Sequence, residues 1–373
     1  MSDIGGPQTP KRLPTLLAFI ALGTFWGAWA SVLPDVQQAT GASKGALGFA
    51  LLFVALGSIP AMLVIAGPTV DRYGGRAVAI SCAVFAATTT LPGLATSVPM
   101  LALALFVTGA ASGALDVGMN ANAARIETDT GKRLMPLAHG LYSVGILTGA
   151  VTAGLARNAG AHREPILIAV AVLLVITAFL LEAEHTPALH AGRGGPLIRV
   201  EHALLVLGAV CAAAFIVEGG LESWSALFLE RQLDASPAVS GLGPGVFGAS
   251  MAIGRFYGQA THFGDRTLLV GGGLLGAAGC LLAAIAPSPA VALLGLALGG
   301  LGVSLNAPIV FGVGGRRGAS AVATVTTIGY VGLLIGPALV GAVAQVSSLR
   351  GSLVVLSLVA AAVAVAATRV RLD

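Results

Sequence analysis

Charge is what this chain has least of. Asp, Glu, Lys and Arg make up 10% of its 373 residues, against roughly a quarter in soluble proteins. That is too little to clothe a water-facing surface, so a soluble globular fold is excluded. Aromatic residues are also scarce, at 5%. The three cysteines, Cys82, Cys211 and Cys280, stand far apart inside apolar runs with no CxxC spacing and no neighbouring His. They read as small buried hydrophobes, not as a disulfide framework or a thiolate metal site. No second His or Cys lies at ligand spacing from His139, so neither a metal nor any other cofactor is expected. The G-x-x-x-x-G-K-[ST] pattern is absent, which argues against ATP as the energy source. Met1–Pro10 has no apolar segment followed by a small-residue cleavage site. No cleaved signal is read there, and the first apolar helix is expected to direct insertion.

What is abundant is apolar sequence, 56% of the chain, and glycine, 52 residues. A membrane-spanning helix needs about 20 mostly apolar residues. Twelve stretches qualify: Leu13–Leu33, Gly45–Val70, Ala77–Thr96, Val98–Ala124, Leu134–Ala156, Pro165–Leu181, Ala203–Leu229, Ala238–Tyr257, Thr267–Ala286, Pro289–Val313, Ala319–Val346 and Gly351–Thr368. They are too long for strands and show no alternation. The fold class is therefore an all-α membrane protein with twelve transmembrane helices. The longest polar connection follows the sixth helix. It divides the chain into a first six-helix bundle over 1–182, a linker over 183–202 and a second six-helix bundle over 203–373.

Lys and Arg set the orientation. With the N-terminus inside, fifteen of the 20 basic residues face the cytoplasm, Arg255 among them, and five (Lys44, Arg157, Arg163, Arg231, Arg350) face out. An odd number of spans would spoil this asymmetry. The expected location is the inner (plasma) membrane, multi-pass, with both termini cytoplasmic. The basic residues then form a rim, not a nucleic-acid surface.

The two halves look like copies. Gly145, Gly149 and Gly154 in the fifth helix match Gly332, Gly336 and Gly341 in the eleventh, with the same spacings. Gly113 precedes Asn120-Ala121 as Gly299 precedes Asn306-Ala307. Trp29 and Trp224 lie late in the first and seventh helices. Repeated halves of this kind place a binding site between them near the midplane.

After the second helix comes Gly67-Pro-Thr-Val-Asp71-Arg72-Tyr-Gly74-Gly-Arg76. Gly74 permits a sharp turn, and Asp71 is suited to receive helix N-terminal amides or an Arg. A plain basic turn would also satisfy the positive-inside rule. The segment resembles the signature cytoplasmic loop of the major facilitator superfamily. The second copy, Gly254 to Arg266, keeps Gly258, Gly264 and Arg266 but lacks the Asp-Arg pair. Phe25 to Trp29 with Leu33-Pro34, Leu115 to Ala121, His139 to Ser143 and Glu218 to Ser225 are further similar to a bacterial branch related to fucose-permease-like transporters. The resemblance spans nearly the whole chain. It implies two six-helix bundles of the major facilitator fold, alternating access and a proton gradient as the usual drive, with Gly67, Asp71, Arg72, Gly74 and Arg76 as a gating loop.

Three carboxylates lie inside apolar runs: Asp116, Glu218 and Glu222. Each is costly there unless it faces a cavity, is paired or is protonated, so these are the candidate proton-coupling residues. Glu218 and Glu222 are one turn apart on one face. Candidate substrate contacts are Trp26, Asn120, His139, Tyr142, Asn306 and Tyr330. Structural hydrogen bonding between helices is the competing explanation for Asp116 and Asn306, and interfacial capping for His139. Trp29 reads as part of an outer aromatic belt. Asn306-Ala307-Pro308 is placed to break its helix and free carbonyls.

The expected function is proton-coupled symport of a small polar organic solute. The partners are that solute, protons and the lipid bilayer, with no nucleic acid, and a monomer is expected. Efflux by antiport is the alternative. It would favour a Gly-Pro pair in the fifth helix, where Ala150 follows Gly149; Gly336-Pro337 lies in the eleventh. A membrane sensor would need a larger output domain than the tail Arg369–Asp373 supplies. An enzyme would need a nucleophile–base pair, and Ser143 near His139 has no orienting carboxylate nearby in sequence.

Overall fold

The computed structural model describes residues 12–62, 72–73, 75–131, 134–182, 202–317 and 319–370. These form helices throughout, with no strand among the described residues. In chain order the main ones are α1 (Arg12–Thr40), α2 (Lys44–Pro60), α3 (Gly75–Thr88, resumed as Leu91–Leu94), α4 (Val98–Thr130), α5 (Met135–Asn158), α6 (Arg163–Glu182), α7 (His202–Leu233), α8 (Leu242–Ala260, preceded by a single turn at Pro237–Ser240), α9 (Asp265–Ile285), α10 (Pro289–Val303, resumed as Asn306–Arg316), α11 (Ala319–Val346) and α12 (Leu349–Arg369). Nine of the described helices are long and apolar enough to cross a membrane. They include all but α2, α5 and α8.

Polar residues at the turns set the ends. Ser43 and Ser348 cap α2 and α12 by accepting from the amides of Ala46 and Gly351, the usual N-cap bond. Gly131 takes the left-handed conformation at the end of α4. Glu127 Oε2 then accepts from the amides of Leu134 and Met135 at 2.8 and 3.0 Å, which places a carboxylate at the start of α5 where the helix dipole favours it.

Several helices differ from the apolar runs. The first runs on past Leu33 to Thr40, because the polar tail beginning at Asp35 is held by a partner described below. The tenth is not continuous. It breaks at Ser304 and Leu305, since Pro308 has no N–H to give the carbonyl of Ser304 four residues earlier.

Packing repeats on adding six to each helix number. α1 lies on α5 and α6 as α7 lies on α11 and α12; α2 on α4 as α8 on α10; α3 on α4 and α6 as α9 on α10 and α12. The two bundles meet where α2 touches α11 and α5 touches α8. The glycine triplets do the same work in both halves. Gly145 and Gly149 lie on the backbone of α1, and Gly332 and Gly336 on that of α7, so close that a side chain would displace the neighbour. The third member turns to the other bundle: Gly154 against Pro237 and Gly241, Gly341 against Gly48. Small residues at such crossings let helix backbones approach in lipid.

The two loop copies also correspond. Arg76, at the start of α3, pairs with Glu182 at the end of α6, Nε to Oε1 3.0 Å. Arg266, on α9, donates to the carbonyls of Thr368 and Val370 at the end of α12. In the degraded second copy the basic residue therefore keeps its tie. Arg76 stays within its own bundle and is 70% exposed, so it does not join the halves. Arg72 stacks on Tyr73, 5.3 Å from the ring centre. Gly67, Asp71 and Gly74 of the expected gating loop, and 183–201 of the expected linker, lie outside the described residues.

Candidate functional site

Between the bundles lies a cavity of about 870 Å³, near the upper end of small-molecule sites, about 300–1,000 Å³. Both halves supply its walls. From the first come Trp26, Asp116, His139 and Tyr142. From the second come Glu218, Glu222, Arg255 and Tyr330. All three carboxylates singled out by their apolar surroundings are thus brought to one space. Tyr142 lies within electrostatic reach of all of them, and Tyr330 within reach of Asp116 and Glu218.

Two expected contacts are placed elsewhere. Neither Asn120 nor Asn306 lines the cavity. Asn120 instead holds Asp116: its Nδ2 donates to the Asp116 carbonyl at 2.8 Å and to Oδ1 at 3.1 Å. That fixes the carboxyl one turn away on the same helix face. Asn306 is fully buried at the break in α10, with neither side-chain atom hydrogen-bonded among the described residues. His139 meets Phe19 edge-on, ring centres 5.4 Å apart. Ser143 Oγ donates to the His139 backbone carbonyl, not to its ring.

Trp29 corrects the belt reading. It is 3% exposed and lines the cavity, because α1 is enclosed by α5, α6 and α7 and leaves that face no lipid. Its repeat partner Trp224 is also buried, with Nε1 donating to the Pro337 carbonyl at 2.9 Å.

Arg255 corrects the rim reading. The helix continues five residues beyond it to Ala260, so its side chain enters the cavity instead of marking the helix end. Nη2 donates to Glu218 Oε1 at 3.2 Å. Nε donates, at 3.4 Å, to the Ser304 carbonyl that Pro308 leaves unpaired. The expectation of a freed carbonyl at this break is met by an arginine bridging it to a carboxylate.

One end of the molecule, where α1, α3 and α9 begin, carries the cavity mouth: the lining reaches Phe263, 64% exposed, and the surface pair Asp265–Arg316. At the opposite end, a cluster unnoticed in the sequence closes the gap. Arg157, its side chain 3% exposed, ends α5. It grips Asp35 of α1 through Nε and Nη2 at 2.7 and 2.5 Å. It also holds Glu230 of α7 through Nη1 at 2.6 Å, and donates to the Ser31 carbonyl at 2.7 Å. Ser240 Oγ donates to the same Glu230 oxygen at 2.5 Å. Arg157 and Asp35 belong to one bundle, Glu230 and Ser240 to the other. The cue was faint. An Arg at a helix end satisfies the simplest rule of membrane topology, and its partners are 122 and 73 residues away.

A profile described as the Major Facilitator Superfamily matches residues 15–313. An uncharacterized MFS-type transporter of Yersinia pestis is 35% identical over 97% of this chain and 97% of its own. The membrane protein MosC of Rhizobium meliloti is 30% identical over 99% of this chain and 93% of its own. Among solved structures, a bacterial homologue of the human lysosomal transporter Spinster, inward-facing and occupied, superposes with a TM-score of 0.73 at 20% identity over 97% of both chains. The Escherichia coli fucose:proton symporter FucP superposes with a TM-score of 0.63 at 18% identity, over 96% of this chain and 98% of the other. At such identity these two likenesses concern the fold alone. With twelve helices in two repeated bundles, a cavity between them and a family match over most of its length, this chain belongs to the Major Facilitator Superfamily.

Proposed function

We propose that this protein is a secondary active transporter that moves a small polar organic solute across the inner membrane by alternating access, in symport with protons. The observation that carries the reading is the convergence of Asp116 from one bundle and Glu218 and Glu222 from the other on a single cavity. Carboxylates at membrane depth face water-filled paths or pair, and mark proton relays. The inverse problem, how a proton crosses with the solute, is answered if these groups exchange protons with whichever side the cavity faces. Glu218 and Glu222, one turn apart, resist joint ionisation. The fucose:proton symporter, which has the same fold, shows that this fold accommodates such a drive.

The functional units are 1–182 and 203–373, joined by 183–202 and working as a monomer with both termini in the cytoplasm. In that orientation the mouth beside Asp265 and Arg316 faces the cytoplasm, and the Arg157 cluster seals the outer side. Trp26, Tyr142, Tyr330 and His139 contact the solute; Asn120 positions Asp116.

The test is a screen on purified protein in proteoliposomes, with a pH-sensitive dye inside and sugars, polyols, organic acids and organic cations added in turn. One class is expected to drive a proton signal that empty vesicles do not show. Solute entry detected by mass with no proton signal for any class would leave a uniporter and remove the coupling.

A further inference from the structure

Arg255 joins three helices through one guanidinium. It stands on α8, bonds Glu218 on α7, and bonds the Ser304 carbonyl at the break in α10. The residue before it, Gly254, lies against the Ser304 side chain so closely that a Cβ there would collide with it. α8 and α10 are thus in contact where the arginine crosses. Below the break, Asn306–Arg316 runs to the cavity mouth, where Arg316 pairs with Asp265. The two bonds are unequal. One depends on a carboxylate that can lose its charge; the other is to a carbonyl that cannot.

We propose that Arg255 is the positioning residue through which the charge state of Glu218 reaches α10. This rests on the proton-coupling reading above. While Glu218 is ionised, the guanidinium is shared between it and Ser304, and the lower half of α10 stays in its mouth-open position. When Glu218 takes up a proton the ionic hold lapses. Arg255 then settles on the freed carbonyl and draws Asn306–Arg316 toward closure of the mouth. The other charged or titratable groups around this bridge are Cys211 and Glu222 on α7, His139 and Tyr142 on α5, Asp116 on α4 and Tyr330 on α11. None of them is bonded to α10 among the described residues, so none supplies the same link. An arginine suits the role because its rigid planar fork holds two acceptors at a fixed spacing, which the compact ammonium of a flexible lysine does not.

The test needs no solute. Gly312 lines the cavity in the lower half of α10 and has open space around it. Gly312→Cys therefore gives a thiol to be timed with N-ethylmaleimide, against a parent whose three native cysteines are buried. Glu218→Gln mimics the protonated state and is expected to slow labelling about fivefold, the order of effect carried by a single coupling contact. With Arg255→Gln present, Glu218→Gln is expected to change nothing further. Arg255→Lys, which keeps the charge and the fold but loses the fork, is expected to behave the same way. An equal slowing in all three backgrounds would overturn the proposal, because the signal would travel by another route. No slowing in any background would overturn it too. Proton signals in the solute screen that survive Glu218→Gln would instead count against the coupling role of Glu218 itself.

Discussion

Replacing Arg157 by Gln is the perturbation whose consequence the structure fixes most tightly. The guanidinium donates to Asp35, to Glu230 and to the Ser31 carbonyl, and its side chain is 3% exposed. Without it, Asp35 and Glu230 face each other across the bundle interface with no cation between them. Removing one member of a buried ion pair costs about 3–5 kcal/mol. Asp35, a third exposed, can recover some hydration, so the lower figure of about 3 kcal/mol applies. The penalty falls only on the state closed at this end, and at 1.4 kcal/mol per decade it is roughly a hundredfold shift toward the open state. Transporter states separated by a few kcal/mol respond visibly to a bias of that size. Spin labels on Gln38→Cys and Gln232→Cys, beside the cluster on opposite bundles, would report it by pulsed distance measurement. The wild type is expected to give a single short distance. Arg157→Gln should add a longer population, and Arg157→Lys, which keeps the charge without the fork, a smaller one. A folded Arg157→Gln protein with an unchanged distance distribution would refute the argument that this cluster holds the bundles together.

Two further outcomes follow from packing and exposure. Gly149→Ala places a methyl carbon 2.8 Å from the Thr24 carbonyl carbon, so α1 and α5 must separate; a loss of about 1–3 kcal/mol is expected. It should appear as a lower thermal unfolding midpoint in detergent, while Gly271→Ala, inside α9 with nothing within 4 Å, does not lower the midpoint. Arg76→Gln removes an ion pair whose members are 70% and 45% exposed. Such pairs are worth about 0–1 kcal/mol, so the midpoint should move little.

The fold was legible because a lipid environment permits few solutions. A backbone crossing a bilayer must bond to itself, so long apolar runs imply helices, and the distribution of Lys and Arg supports an even number of them. The glycine triplets were legible as a repeat, though not the division of labour by which two members pack within a bundle and the third between bundles. Asp116, Glu218 and Glu222 stood out because a carboxylate in an apolar run demands an explanation. Arg255 and Arg157 did not. Both sit close to helix ends, where the positive-inside rule and ordinary snorkelling account for any basic residue, and their partners come from distant parts of the chain. Trp29 was misplaced for the converse reason. A tryptophan near a helix end looks interfacial until the neighbours that enclose it are known. Pro308 announced the break in α10, but nothing in the sequence indicated which donor would take the freed carbonyl.

The central claim is that solute and proton share the cavity between the bundles. It is tested most directly by following a labelled solute, once the screen has found one, into proteoliposomes under an imposed proton gradient. The account predicts accumulation above the external concentration, collapse when a protonophore is added, and loss of accumulation in Glu218→Gln or Asp116→Asn. Equilibration without accumulation in the wild type, at the same rate in both variants, would contradict it.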